Sequence, residues 1–373
     1  MEKLIFAKKL YTGREELSNC QVRISDGKII ALDSGFASAD VFRGEVFDHL
    51  APGFIDIHIN GGEKFYFTGK VDEETLVDIT ASSRKYGTAW CLPTLITSPV
   101  ENILKGIAVT AQFIKRHPQS GMLGMHLEGP FLNPVKRGAH LLKYIQQPSA
   151  DLLNMLVQQG VGIIKMITIA PELFSPQQLD ILLNSPITVS AGHSNADYQQ
   201  ARAGFDQGIR TVTHLYNAMS AFGHRQPGLT GAALEDDRIF TPVIADGVHC
   251  DFGAVSIARK IKGEKFLLIS DALFLGRKVK EFKWGAFDAH LENGKYVNSE
   301  GNLAGASVSL CDCVRNVVDL LKLPVKEAVE MVTIRPATAI GMETKVGMIK
   351  VGYPAVFTAF NDTLDNFRVI DMQ

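Results

Sequence analysis

What the chain lacks narrows it first. No apolar run reaches the roughly 18 residues that span a bilayer. The opening MEKLIFAKKLYTG has neither the long apolar core nor the small-residue cleavage site of a signal peptide. Neither sign of charge dominates: 38 Lys and Arg face 40 Asp and Glu, a formal net charge of −2. That balance leaves no electrostatic case for nucleic acid or for an anionic membrane. Cysteine is scarce and odd in number (Cys20, Cys91, Cys250, Cys311 and Cys313), with no framework spacing. Free thiols in a reducing cytoplasm are therefore expected. Neither a GxGxxG fingerprint nor a P-loop is present. Charged residues make up only 21% of the chain against 46% hydrophobic, so a large core is expected and disorder is not.

What is there falls into two textures. Both ends alternate short apolar runs with turn signals, and Asp26-Gly27 between QVRIS and KIIAL is a hairpin signal. The expectation is a small β-sandwich domain built from residues 1–51 and 343–373. Between them, residues 52–342 carry eight short apolar runs: FIDIHIN, TAWCLPTL, MLGMHLEG, IIKMITIAPE, ITVSAGHS, TVTHLYN, TPVIADGVH and KFLLISDAL. Helix-like segments such as VENILKGIAVTAQFIKRH fill most of the gaps. Alternating strand and helix implies a parallel sheet, and eight units match a (β/α)8 TIM-like barrel. An open doubly wound sheet is the competing architecture.

Most of these runs end in a residue able to do chemistry: Asn60, Glu128, Glu172, His193, His214, His249 and Asp271. Barrel strands end on one face, where active sites sit. Two imidazoles and one carboxylate, from His193, His214 and Glu128, suit a catalytic zinc or similar divalent ion with one position open to water. His126 precedes Glu128 by two and reads as core or support. Asp271 reads either as a helix cap or as a general base beside the ion. The first run carries His58 and then Asn60, where many metal hydrolases have His-x-His. The loops NPVKRGAHLLK and SAFGHRQPGLTG are rich in Gly, Pro and cations, and suit an anionic small molecule if they lie over a barrel mouth.

HLEGPF, AGHS, THLYNAM, ADGVH and SDA, in this order behind PGFID, resemble the N-acetylglucosamine-6-phosphate deacetylases of the amidohydrolase superfamily, over essentially the whole chain. The resemblance implies metal ligation by Glu128, His193 and His214, with Asp271 as the catalytic acid–base. It implies substrate contacts from Ala139, His140, Asn217, Ala218, Arg225, His249, Leu303, Ala304 and Gly305, with His140 also polarising the acetyl carbonyl. It further implies one divalent ion per subunit, zinc ahead of iron, cobalt or manganese. A homodimer in which Arg225 reaches the neighbouring site is implied as well. With Asn60 in place of the second histidine, His58 is expected to support the pocket rather than hold a second ion. The rival readings are a dihydroorotase-like cyclic amidase and a non-catalytic sugar-phosphate binder.

Overall fold

The computed structural model describes residues 2–36, 42 and 44–373. Four strands open the chain: β1 (Lys3–Tyr11), β2 (Glu16–Ser25), β3 (Lys28–Asp33) and β4 (Glu45–Pro52). Eight follow: β5 (Phe54–Ile59), β6 (Thr88–Ile96), β7 (Met125–Glu128), β8 (Ile164–Ile169), β9 (Thr188–Ala191), β10 (Thr211–Val212), β11 (Thr241–Val243) and β12 (Phe266–Leu268). A meander of β13 (Glu281–Trp284), β14 (Phe287–Glu292) and β15 (Lys295–Val297) comes next. Near the C-terminus lie β16 (Val356–Phe360) and β17 (Arg368–Asp371).

Strands from both ends share one sheet, in the order β17-β16-β4-β1-β2-β3. Asp26 and Gly27 both take positive φ, 50° and 71°, as a tight turn between β2 and β3 requires. The sheet curls until Lys28 bridges Pro354 just ahead of β16. That closure encloses a core of Ile5, Leu10, Val22, Phe47, Leu50 and Phe357.

The middle strands run parallel. β5 to β10 form one curved sheet and β11 pairs with β12. Parallel bridges Thr211↔Phe240 and Ile59↔Ala272 join the two pieces into a ring of eight strands. All eight runs read from the sequence thus become barrel strands, and their C-terminal ends face one mouth. Intervening helices start where the sequence caps them: the Asp72 side chain accepts from Thr75 N, and Ser175 and Asp197 form capping boxes. Among the described residues no helix is long and apolar enough to cross a membrane. All five cysteines are buried and unpaired.

Just below the mouth the barrel interior holds a polar layer. His126 Nε2 contacts Thr168 Oγ1 at 2.7 Å, Thr168 Oγ1 meets Thr213 Oγ1 at 2.7 Å, and Ser190 Oγ meets Thr213 Oγ1 at 2.6 Å. Burial, and next the neighbouring His58, push His126 well below the usual histidine range. It is a neutral core residue, as its place in the sequence suggested.

The loop after β5 is fixed by Glu63. Its Oε1 accepts from Lys85 Nζ and Tyr86 OH, both at 2.7 Å, and its Oε2 from Lys278 Nζ at 2.9 Å. The hydrogen bonds from Lys85 and then Lys278 hold its carboxyl down at about 2. A depressed carboxyl stabilises the fold above its unfolded pKa of about 4.3, and the contribution is lost as pH falls through the folded value. Both lysines are more than half exposed, so screening limits the effect to about 1 kcal/mol. Glu63→Gln should lower stability by that amount at pH 7 and converge with wild type as pH falls toward about 2, read by urea melts across the range.

Candidate metal centre

The mouth of the barrel opens on a cavity of about 460 Å³. At its floor three side chains from three strands converge. Glu128 is the last residue of β7, while His193 and His214 follow β9 and β10. The two histidines and Asp271 leave their strands in left-handed conformation, with φ of 48°, 35° and 48°. Such backbone costs about 1–3 kcal/mol per residue and persists where the surroundings over-determine it. Gly129, at φ 94°, leaves no alternative beside Glu128: a Cβ there would stand 2.2 Å from Thr97 Oγ1.

The distances define the centre. Glu128 Oε1 lies 3.1 Å from His193 Nε2 and 2.9 Å from His214 Nε2, and the two nitrogens are 3.1 Å apart. His193 Nδ1 is 2.9 Å from the carbonyl of Lys136. A carbonyl only accepts, so Nδ1 carries a proton, and in the neutral ring Nε2 presents a lone pair. That lone pair faces a carboxylate oxygen, an arrangement that a shared cation stabilises. Tetrahedral zinc with bonds of about 2.0–2.1 Å has ligand–ligand edges of about 3.3 Å, close to the triangle seen. The residues present fit a divalent ion, and Glu128, His140 and His193 also bring ligand atoms within 4.8 Å of one another. Burial opposes charge on Glu128, yet the neighbouring His58 helps hold its carboxyl well below the usual range.

Asp271 stands opposite. Asn60 Nδ2 donates to its Oδ1 at 2.7 Å, and its backbone N donates to His58 O at 2.9 Å. His58 Nε2 lies 3.1 Å from Asp271 Oδ1 and 3.5 Å from Glu128 Oε2. Burial alone would push His58 down, but the Asp271 and Glu128 carboxylates raise it well above its ordinary value. Burial likewise raises Asp271, while the charge of His58 prevails and lowers it. His58 and Asn60 therefore sit against the acid and brace it.

Other expected residues sort clearly. His140 Nδ1 is 3.0 Å from Thr97 Oγ1, and its ring lines the cavity. His249 donates Nδ1–H to Asp246 at 2.8 Å, and the residue lines the cavity. Ala139, Asn217, Ala218, Leu303, Ala304 and Gly305 all line the same space. Arg225 does not: it is exposed and lies outside the cavity lining. Glu172, a strand-end carboxylate by sequence, instead accepts from Asn133, Ser194 and Asn195 and ties loops together. Lys165 lies at the opposite end of β8 from the mouth, half-buried, where burial lowers its pKa. Lys136 and Tyr66 also line the cavity and were not singled out by sequence. A cation inside the NPVKRGAH loop was the available signal for the first.

A family model described as the amidohydrolase family matches residues 49–371. The N-acetylglucosamine-6-phosphate deacetylase of Haemophilus influenzae is 32% identical over 372 residues, covering 97% of this chain and 95% of that protein. An N-acetylgalactosamine-6-phosphate deacetylase of Escherichia coli O157:H7 is 30% identical over 367 residues, with 98% and 96% covered. The crystal structure of N-acetylglucosamine-6-phosphate deacetylase from Pasteurella multocida aligns with a TM-score of 0.91 at 31% identity, covering 99% of this chain and 97% of that one.

After chelation and reloading with zinc, Glu128→Ala and His193→Ala should each weaken ion binding by more than about 100-fold, beyond the loss from removing an outer partner. Calorimetric titration with the metal measures it, and unchanged affinity would move the centre elsewhere.

Proposed function

The chain belongs to the amidohydrolase family, and from that premise we propose that it hydrolyses the acetamide of N-acetyl-D-glucosamine 6-phosphate to D-glucosamine 6-phosphate and acetate. The observation that carries this reading is the pairing of one carboxylate–imidazole triangle with a separately braced aspartate in a single cavity. Glu128, His193 and His214 would hold a divalent ion there, which would supply Lewis-acid polarisation and activation of water. Asp271 takes the proton of the attacking water and returns it to the departing sugar nitrogen. Asn60, by its 2.7 Å hydrogen bond, keeps the aspartate oxygen in register for both transfers. His140, fixed by Thr97, is assigned to the acyl oxygen, where charge develops. His249 and Asn217 are assigned to the sugar, together with Ala139, Ala218 and the Leu303–Gly305 backbone.

We assign one ion per chain, zinc on its donor set, with iron, cobalt and manganese as the other candidates. Two tightly held ions would overturn that count. The cyclic amidase reading, which calls for two metals bridged by a lysine on the fourth strand, loses support because Lys165 on that strand lies away from the cavity and the first strand lacks a second histidine. The galacto epimer is the second substrate reading, since relatives of equal identity are N-acetylgalactosamine-6-phosphate deacetylases. We further propose a homodimer in which Arg225 of one subunit holds the phosphate bound to the other. Its exposure and its planar fork, matched to phosphate oxygens, support this. A cytoplasmic location accompanies the reading, given five unpaired cysteines.

Acetate release from the gluco and galacto substrates, with and without the 6-phosphate, tests the proposal; turnover of dihydroorotate alone would sink it. Asp271→Asn should cut kcat by about 10²- to 10⁴-fold with sugar-phosphate binding retained. Arg225→Ala should raise KM by about tenfold at nearly constant kcat, the signature of lost ground-state and transition-state binding together.

A further inference from the structure

The cavity has two poles. One is the polar centre just described. The other is an apolar wall of Tyr66, Ile96, Leu273 and Phe287, all at most 5% exposed, which borders the same space. Backbone pairing couples each pole to the other. Ile96 is the ladder partner of Glu128 on the neighbouring strand. Leu273 lies two residues beyond Asp271, and its N is held by Ala306 O at 2.9 Å. Tyr66 bridges Gly61, next to Asn60.

The wall is stiff. Tyr66 and Phe287 stack with centroids 5.5 Å apart and planes at 15°, and Phe282 meets both edge-on at 5.3 and 6.2 Å. Phe274, Ala289 and Tyr296 back it in one cluster. Burial raises the Tyr66 phenol far above its ordinary value, so the wall carries no charge. Aromatic side chains braced on both faces keep their rotamers, and the space they leave has a fixed size.

We infer that this wall receives the acyl methyl group and sets the length of acyl chain that the enzyme removes. The inference rests on the deacetylase reading. In that reaction the scissile carbon stands between the ligand triangle and Asp271. The methyl on that carbon is the one apolar appendage of an otherwise hydroxylated, phosphorylated substrate. This wall borders the same cavity as both groups, with Ile96 the ladder partner of Glu128 and Leu273 two residues past Asp271. An apolar wall of fixed shape discriminates one methylene by roughly 10- to 200-fold in kcat/KM.

The test compares N-acetyl, N-propionyl and N-butyryl glucosamine 6-phosphates on zinc-loaded enzyme. Wild type should prefer acetyl over propionyl within that range, and Ile96→Ala and Leu273→Ala should each shrink the preference by about tenfold. A preference unchanged in both folded variants overturns the inference. Should either alanine variant fail to fold, Ile96→Val and Leu273→Val carry the same comparison with a smaller expected change. Wild type that cleaves acetyl and propionyl equally well breaks the wall but leaves the deacetylase reading standing. Wild type that releases no acetate from any of these sugars brings down the reading and the wall together.

Discussion

One oxygen governs the mouth of this barrel. Glu128 Oε1 is approached by two imidazole nitrogens at about hydrogen-bond distance. Three such atoms converge only if strands β7, β9 and β10 hold their ends in a common plane. They also need the chain to break out of extended backbone at His193 and His214. The loop that carries Lys136 must then fold back, because its carbonyl selects the tautomer of His193. Barrel closure, strained strand exits and loop position all answer to that one carboxylate.

Charge is layered below it. The floor beneath is a hydroxyl network around a neutral His126, while His58, one ring higher, is held cationic-leaning by two carboxylates. The two rings meet edge to face with centroids 4.6 Å apart. The change from apolar core to ionic mouth therefore takes place within a single side-chain layer. An unpaired buried charge would be costly, and each carboxylate here has an imidazole or carboxamide against it.

The barrel was legible because its apolar runs are short, recurrent and separated by helix-like segments. Where the runs stopped was less legible. TVTHLYN reads as a seven-residue strand, but the ladder covers only Thr211 and Val212, because the chain turns left-handed at His214 to aim the imidazole inward. Glu172 carried the same strand-end signature as Glu128 yet became a loop tie, since sequence position does not say which way a side chain turns after a strand. The meander of β13 to β15 went unread, although Asn293-Gly294 between its last two strands is a hairpin signal. The apolar wall was beyond sequence reading: its four residues come from four separate segments and share no period.

The sheet that joins both ends of the chain has a consequence for synthesis. β1 to β4 leave the ribosome long before their neighbour β16, which begins only at Val356. Throughout translation of the barrel, the free edge of β4 stays open, an invitation to pairing with other nascent chains. Synthesis proceeds at about 5–20 residues per second, so that edge waits tens of seconds for its partner. A circular permutant that brings β16 next to β4 would remove the wait without touching the catalytic mouth.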